Sequence, residues 1–95
     1  MAINFNQTAE ISSEALFQEV NNEAVILDLK SESYYGLNEV GLRIWQMLGE
    51  QKTLRQINES LLDEFDVDAE TLTEDMLKLL DDLEKAGLIT LNSNS

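Results

Sequence analysis

The side chains in this sequence that could take part in chemistry are mostly carboxylates and hydroxyls. Histidine and cysteine are both absent, whereas aspartate and glutamate together number 19. The two missing types supply the usual general base, the thiolate nucleophile and the nitrogen and sulfur ligands of zinc. The carboxylates fall in helical patterns that we expect to be solvated, with no sign of a concave pocket. The sequence therefore predicts a protein that is not an enzyme and that carries no metal or other cofactor.

Two short motifs resemble chemical sites but lack what those sites require. Residues 66–70 read Asp-Val-Asp-Ala-Glu, like the start of a calcium-binding loop. Such a loop needs Gly at its sixth position and Glu at its twelfth, where this chain has Thr71 and Leu77. Ser60 stands between an acid and a leucine, as does the phosphopantetheine-bearing serine of acyl carrier proteins. That serine opens a helix, whereas Ser60 falls in the middle of a predicted one. We interpret both motifs as ordinary helix surface.

The balance of charge restricts the partners that the chain can have. Nineteen acids against six bases give a net charge of −13. Such a surface repels nucleic acids, which proteins bind by displacing counterions with Lys and Arg, and it repels anionic membranes. Basic or apolar protein partners are favoured, and an equally simple interpretation is that the charge serves only solubility. The first residues lack the basic and apolar regions of a signal peptide. No apolar run approaches the roughly 20 residues of a membrane span, so we expect a cytoplasmic protein.

Three short strands are predicted in the first half of the chain. They cover about residues 15–20, 24–30 and 34–37, where β-branched, aliphatic and aromatic side chains concentrate. Asn21-Asn22 and residues 31–33 are the turns between them, since asparagine tolerates left-handed backbone angles. These three strands would form a small antiparallel sheet.

Three helices are predicted in the second half. Asn38, Thr53 and Asp68 are placed to cap their first turns, and Thr53 forms a capping box with Gln56. Gly49 is expected to end the first helix, and Gly87 the third. The apolar positions recur three and four residues apart and predict one buried face per helix. For the third helix this face comprises Leu72, Met76, Leu79, Leu80 and Leu83.

The chain is predicted to form one domain. Residues 1–14 lack clear periodicity and should be a flexible segment with at most a short strand near 9–11. The domain would span 15–91, and 92–95 would be a disordered tail.

The join between the third strand and the first helix carries a family resemblance. Residues 34–38 read Tyr-Tyr-Gly-Leu-Asn, and Gly41, Ile44 and Trp45 follow inside the helix. With the upstream strand Val-Ile-Leu-Asp-Leu at 25–29, this run resembles the signature of the coenzyme PQQ synthesis protein D family. The resemblance covers roughly residues 15–90. It implies an α+β, winged helix-turn-helix-like fold, with a three-stranded N-terminal antiparallel sheet followed by three helices.

The resemblance also implies a function. Family members are recognition elements that bind the leader region of a ribosomally made precursor peptide and work beside the enzymes that modify it. The leader adds as a strand to the edge of the third β-strand and lies against the third helix, a mode known as β-augmentation. The partner enzyme would be a leader peptidase of lasso-peptide assembly or a radical-SAM protein of PQQ-type biosynthesis. The peptide-binding positions implied here are Glu32, Ser33, Tyr34, Tyr35, Gly36, Leu37, Thr73, Leu77, Leu80, Asp81 and Glu84.

Two alternatives stand beside this interpretation. Leu77 lies off the buried face of the third helix, so it is either a wall of the peptide groove or a scattered surface leucine of the ordinary kind. The fold would also suit a winged-helix nucleic-acid-binding or regulatory protein. A helix that enters the major groove needs basic or amide side chains facing outward, whereas residues 63–84 hold ten acids and one base, Lys78. The charge therefore favours the peptide-binding interpretation.

Overall fold

The computed structural model describes residues 5–21 and 23–92, and these form five strands and three helices. Asn22, part of a predicted turn, and residues 93–95 of the predicted tail lie outside the described residues. The elements, in chain order, are β1 Thr8–Ile11, β2 Ala15–Val20, β3 Glu23–Asp28, β4 Ser33–Leu37, α1 Glu39–Gly49, α2 Leu54–Glu64, α3 Ala69–Lys85 and β5 Ile89–Asn92.

The predicted antiparallel sheet of three strands is present, in the order β2-β3-β4. Phe17, Ile26 and Tyr35 stand in one cross-strand row. Ile26 in the middle of this row is fully buried, and the ring of Phe17 stacks on Trp45 with centroids 6.3 Å apart. One face of the sheet is therefore anchored to the helices through this row.

The expectation of a single sheet is wrong. β1 pairs antiparallel with β5 in a second, two-stranded sheet. Within it Ala9 faces Leu91 and is fully buried, so the folded part begins before residue 15. Asn92, predicted to start the tail, is the last residue of β5 and pairs with Thr8. The winged helix-turn-helix arrangement stays a prediction of the family resemblance.

The three helices enclose the core with the faces that the apolar spacing predicts, except that Leu79 of the third predicted face is only half-buried. Burying leucine-sized side chains stabilises the fold by about 1.5–3 kcal/mol each. Arg43 on α1 also joins Glu64 at the end of α2, with Nε 2.8 Å from the carboxylate. The fully buried large side chains on helices are Ile44, Met47, Leu48, Leu54, Ile57, Leu61, Met76, Leu80 and Leu83.

The local signals at the helix ends are confirmed with one exception. Asn38 and Asp68 accept hydrogen bonds from the amides of Gly41 and Thr71 at 2.9 and 3.1 Å, and both bonds of the Thr53 capping box form. Gly87 has the left-handed φ of +77° that a C-terminal stop requires. α1 does end at Gly49, but the left-handed residue that turns the chain there is Gln51, with φ 65°.

Candidate functional site

The outer edge of β4 is unpaired in the described part of the chain. β4 is the last strand of its sheet and bonds to β3 on one side only. In an antiparallel sheet alternate residues of such an edge direct their N–H and C=O groups away from the neighbouring strand. An exposed edge of this kind is a template for another strand. Gly36 is part of this edge strand, and a Cβ added to it would meet no atom within 4 Å.

A groove of about 440 Å³ runs along this edge. β4 forms one wall, α1 supplies Val40 and Ile44, and residues 71–79 of α3 form the other wall. The apolar lining is open to solvent at Val67, which is 43% exposed. The full lining is Tyr35, Gly36, Leu37, Asn38, Val40, Gly41, Ile44, Val67, Thr71, Leu72, Asp75 and Leu79.

The turn from β4 into α1 explains how the strand and helix come so close. Asn38 caps α1 through the amide of Gly41, so the helix starts directly after the strand. A Cβ on Gly41 would lie 3.2 Å from Leu37 Cδ2, which is tighter than an ordinary contact. Glycine at this position therefore lets the first turn of α1 pack against the end of β4.

Tyr35 joins the two walls at one end of the groove. Its hydroxyl donates a hydrogen bond of 3.2 Å to Asp82 Oδ2 on α3. Burial raises the pKa of Tyr35 above its ordinary value, and the carboxylate of Asp82, by its charge and as hydrogen-bond acceptor, raises it further. The tyrosine stays neutral at ordinary pH and holds β4 against α3 as a bridge at that end.

The predicted residues Thr73 and Leu77 lie on one face of α3, and the residues that line the groove lie on the opposite face. Asn58 Nδ2 on α2 donates to Thr73 Oγ1 at 3.2 Å, so Thr73 faces α2. Leu77 lies one turn further along the same side. Two positions along a helix correspond to a rotation of about 200°, which places Asp75 and Leu79 on the side that faces β4. The structure therefore brings β4 next to a different face of α3 from the one the sequence analysis selected.

The remaining predicted positions fall in several environments. Leu80 is fully buried in the core, Asp81 pairs with Lys85 at 3.0 Å, and Glu84 is half-buried. On the strand side the structure brings together Tyr35, Gly36 and Leu37 in the groove wall. The other predicted positions at the strand end, Glu32, Ser33 and Tyr34, are exposed.

Sequence reasoning missed four groove-lining residues on α3: Thr71, Leu72, Asp75 and Leu79. The spacing of four between Thr71, Asp75 and Leu79 marks these three as one stripe of the helix, with Leu72 beside it. Leu79 was assigned to the buried face, but it is half-buried and packs only at the margin of the core. The sequence therefore contained the stripe, next to the core residues of α3. No local feature of the sequence shows that β4 packs beside this stripe.

The groove is lined mainly by apolar side chains and main-chain groups. Within residues 5–21 and 23–92, no three carboxylates gather in a way that could hold a metal ion. Among the described residues that line the groove, Asp75 alone is charged. The arrangement offers main-chain hydrogen-bonding groups above an apolar floor, which suits an extended peptide.

Comparison with known proteins identifies the relatives of this chain. The model of the family described as coenzyme PQQ synthesis protein D (PqqD) matches residues 23–89. A search of curated protein sequences gives no match.

Two solved structures share the fold. "TbiB1 in Complex with the TbiA(beta) Leader Peptide" is 31% identical, with a TM-score of 0.77 over 90% of this chain and 98% of that one. "Lasso peptide synthetase B1 complexed with the leader peptide" is 22% identical, with a TM-score of 0.77 over 86% and 96% of the two chains. Both the family match and the similarity to TbiB1 extend over most of the chain, and so this protein belongs to the coenzyme PQQ synthesis protein D family.

Proposed function

We propose that this protein binds the leader segment of a ribosomally made precursor peptide and delivers it to the enzyme that modifies the peptide or removes the leader. The observation that carries the proposal is the unpaired edge of β4 directly beside the groove that α3 closes. A strand added to this edge gains main-chain hydrogen bonds, and every second side chain points into the groove.

The groove determines which part of the peptide confers selectivity. Tyr35 and Leu37 are the β4 residues that face inward and line the groove. The inward-facing side chains of an added strand would lie next to these two residues. Leu72 and Leu79 form the apolar wall on the other side, with Asp75 beside them. Apolar side chains at alternate leader positions would fill this space, and a basic or hydroxyl group would satisfy Asp75.

Lasso-peptide biosynthesis is the better supported of the two settings implied by the family. The solved relative that shares 31% identity, TbiB1, is in complex with a leader peptide, and the second structure is named a lasso peptide synthetase component. The partner in such a system is a leader peptidase. We assign the chain no catalytic step, and its role is to raise the local concentration of the precursor at the enzyme.

Nuclear magnetic resonance titration tests the proposal. The leader of the precursor that this protein serves is added to labelled protein, with the TbiA(beta) leader peptide as a second ligand. We expect amide shifts concentrated in residues 33–38 and 71–79, because these line the edge and the groove. Shifts confined to α2, or no binding of the chain's own leader, would contradict the proposal.

A further inference from the structure

The outer face of the β2-β3-β4 sheet carries an apolar surface that the peptide groove does not use. Strand alternation sends Phe17, Ile26 and Tyr35 toward the core, so the next row points outward. That row is Leu16, Leu27 and Tyr34, aligned across the three strands. Leu16 is 53% exposed and Tyr34 is 77% exposed.

A second row of outward-facing residues borders a hollow in this face. Gln18, Val25 and Gly36 are aligned across the same strands, and a hollow of about 460 Å³ opens beside them, lined also by Val20. Val20 and Val25 are 64% and 44% exposed. Because Gly36 has no side chain, the surface is lowest next to Val25. A protruding apolar side chain of a partner could enter at this point.

The charge of the outer face differs from that of the chain as a whole. Glu23 is the one charged residue among the eight outward positions of the three strands, although the chain carries a net charge of −13. A second copy would bring two strongly acidic molecules together, which repulsion opposes. A different protein with an apolar centre and a basic rim meets no such penalty. The eight positions are Leu16, Gln18, Val20, Glu23, Val25, Leu27, Tyr34 and Gly36.

The outer face is continuous with the peptide groove. Gly36, Leu37 and Asn38 line both the groove and the outer hollow. A strand added to β4 would become the fourth strand of the sheet, and its outward side chains would extend the same surface beside Tyr34. The occupant of this face would therefore touch the protein and the bound peptide together.

From these observations we infer that the outer face of the β2-β3-β4 sheet is the docking surface for the enzyme that acts on the bound precursor. The inference rests on the proposed function and names the surface through which delivery occurs. The enzyme presents an apolar patch bordered by basic residues. Because part of the surface comes from the peptide, the enzyme binds the loaded protein more tightly than the free one. By reciprocity it raises the affinity of the protein for the leader by the same factor.

Substitutions on the outer face separate docking from peptide binding. Leu16→Thr and Val25→Thr remove apolar surface at exposed strand positions and keep residues that favour β structure. Leu62→Gln is the matched control, since Leu62 is a similarly exposed leucine (38%) on α2, away from the sheet. The probes are the leader peptidase and the precursor peptide of the same biosynthetic system, each purified alone. The measurements are calorimetric affinity for the leader, affinity of the loaded protein for the enzyme, and rate of precursor processing.

Wild type and Leu62→Gln should behave alike. Leu16→Thr and Val25→Thr should each keep leader affinity unchanged and weaken enzyme binding by about tenfold, the effect of losing one well-packed interface contact. Processing at limiting enzyme should slow by the same factor. Unchanged enzyme binding in both sheet variants would overturn the inference and leave leader binding intact. Failure of wild type to bind the leader would instead overturn the proposed function. Concentration-dependent dimers in sedimentation that Leu16→Thr abolishes would assign the face to a second copy, which also overturns the inference.

Discussion

Leu77 and Leu79 lie two positions apart on α3 and have different surroundings. Leu77 is half-buried on the side where Thr73 bonds to α2. Leu79 is half-buried on the opposite side and lines the groove beside β4. The sequence analysis gave Leu77 the contact with the peptide and Leu79 the place in the core. In the structure, the one of the two leucines that lines the groove beside β4 is Leu79.

Truncation of these leucines distinguishes the two faces of α3. Leu79→Ala should weaken leader binding by about 1–2 kcal/mol, because one aliphatic contact is lost, whereas Leu77→Ala should leave it unchanged. Calorimetric titration with the leader peptide measures both. Leu80→Ala is the core control and should lower the free energy of unfolding by about 2–5 kcal/mol. If Leu77→Ala alone weakens binding, the peptide lies on the α2 side of the helix.

Tyr35 predicts a change of stability at alkaline pH. Its pKa is raised by burial and by Asp82, so the folded state binds its proton more tightly than the unfolded state. The stabilisation is complete below the ordinary tyrosine pKa of about 10 and is lost as the pH rises through the higher folded value. Tyr35→Phe should lose about 0.5–1.5 kcal/mol at neutral pH through the missing hydrogen bond. Denaturant unfolding at a series of pH values should show that the difference in free energy of unfolding between wild type and Tyr35→Phe becomes smaller above pH 10. A difference that grows above pH 10 would contradict a raised pKa of Tyr35 in the folded state.

At the scale of elements, glycine has opposite roles at the ends of α1 and α3. Gly87 has φ +77°, and the amide of Leu88 after it donates to Leu83 O at 3.0 Å. Gly49 is the last residue of α1 and does not have a positive φ. An added Cβ at Gly49 would make only an ordinary contact, 3.6 Å from Ile11 Cδ1.

A pair of alanine substitutions tests this difference. Gly87→Ala should destabilise the protein by about 1 kcal/mol or more, because a left-handed backbone is strained for a residue with a Cβ. Gly49→Ala should stabilise it by up to about 1 kcal/mol, since alanine loses less entropy in a helix. Thermal unfolding of the two variants against wild type measures both effects. Equal effects of the same sign would show that backbone conformation is not the cause.

At the scale of the whole molecule, charge determines which partners can approach. The net charge of −13 is spread along the strands, loops and helices, whereas the groove and the outer face of the sheet are mainly apolar. Nucleic acids, whose backbones are negatively charged, are therefore repelled over most of the surface. Over the ranges 5–21 and 23–92, no helix is long and apolar enough to cross a membrane.

Binding to nucleic acid should accordingly be undetectable. Mixed-sequence duplex DNA titrated with the protein at physiological salt should show no change in fluorescence anisotropy, because the chain offers few bases to displace counterions. The leader peptide under the same conditions is the positive control. Micromolar, salt-sensitive binding of DNA would restore the winged-helix nucleic-acid interpretation.

The sequence by itself determined the features that depend on near neighbours. Asn38, Thr53 and Asp68 cap the helices as predicted, since a cap acts within three residues along the chain. The three-stranded sheet also followed from local pattern, because its strands are joined by short turns. Asn21 and Glu32 adopt left-handed φ values of 58° and 61° in those turns.

The tertiary structure decided the features that join distant parts of the chain. β1 and β5 pair across about eighty residues, as Thr8 with Asn92, and neither four-residue strand has a pattern long enough to reveal its partner. The groove depends on which flank of α3 lies beside β4. Apolar spacing identifies the buried stripe of a helix but treats its two flanks alike. The contact of Tyr35 with Asp82, 47 positions further on, settles which flank it is.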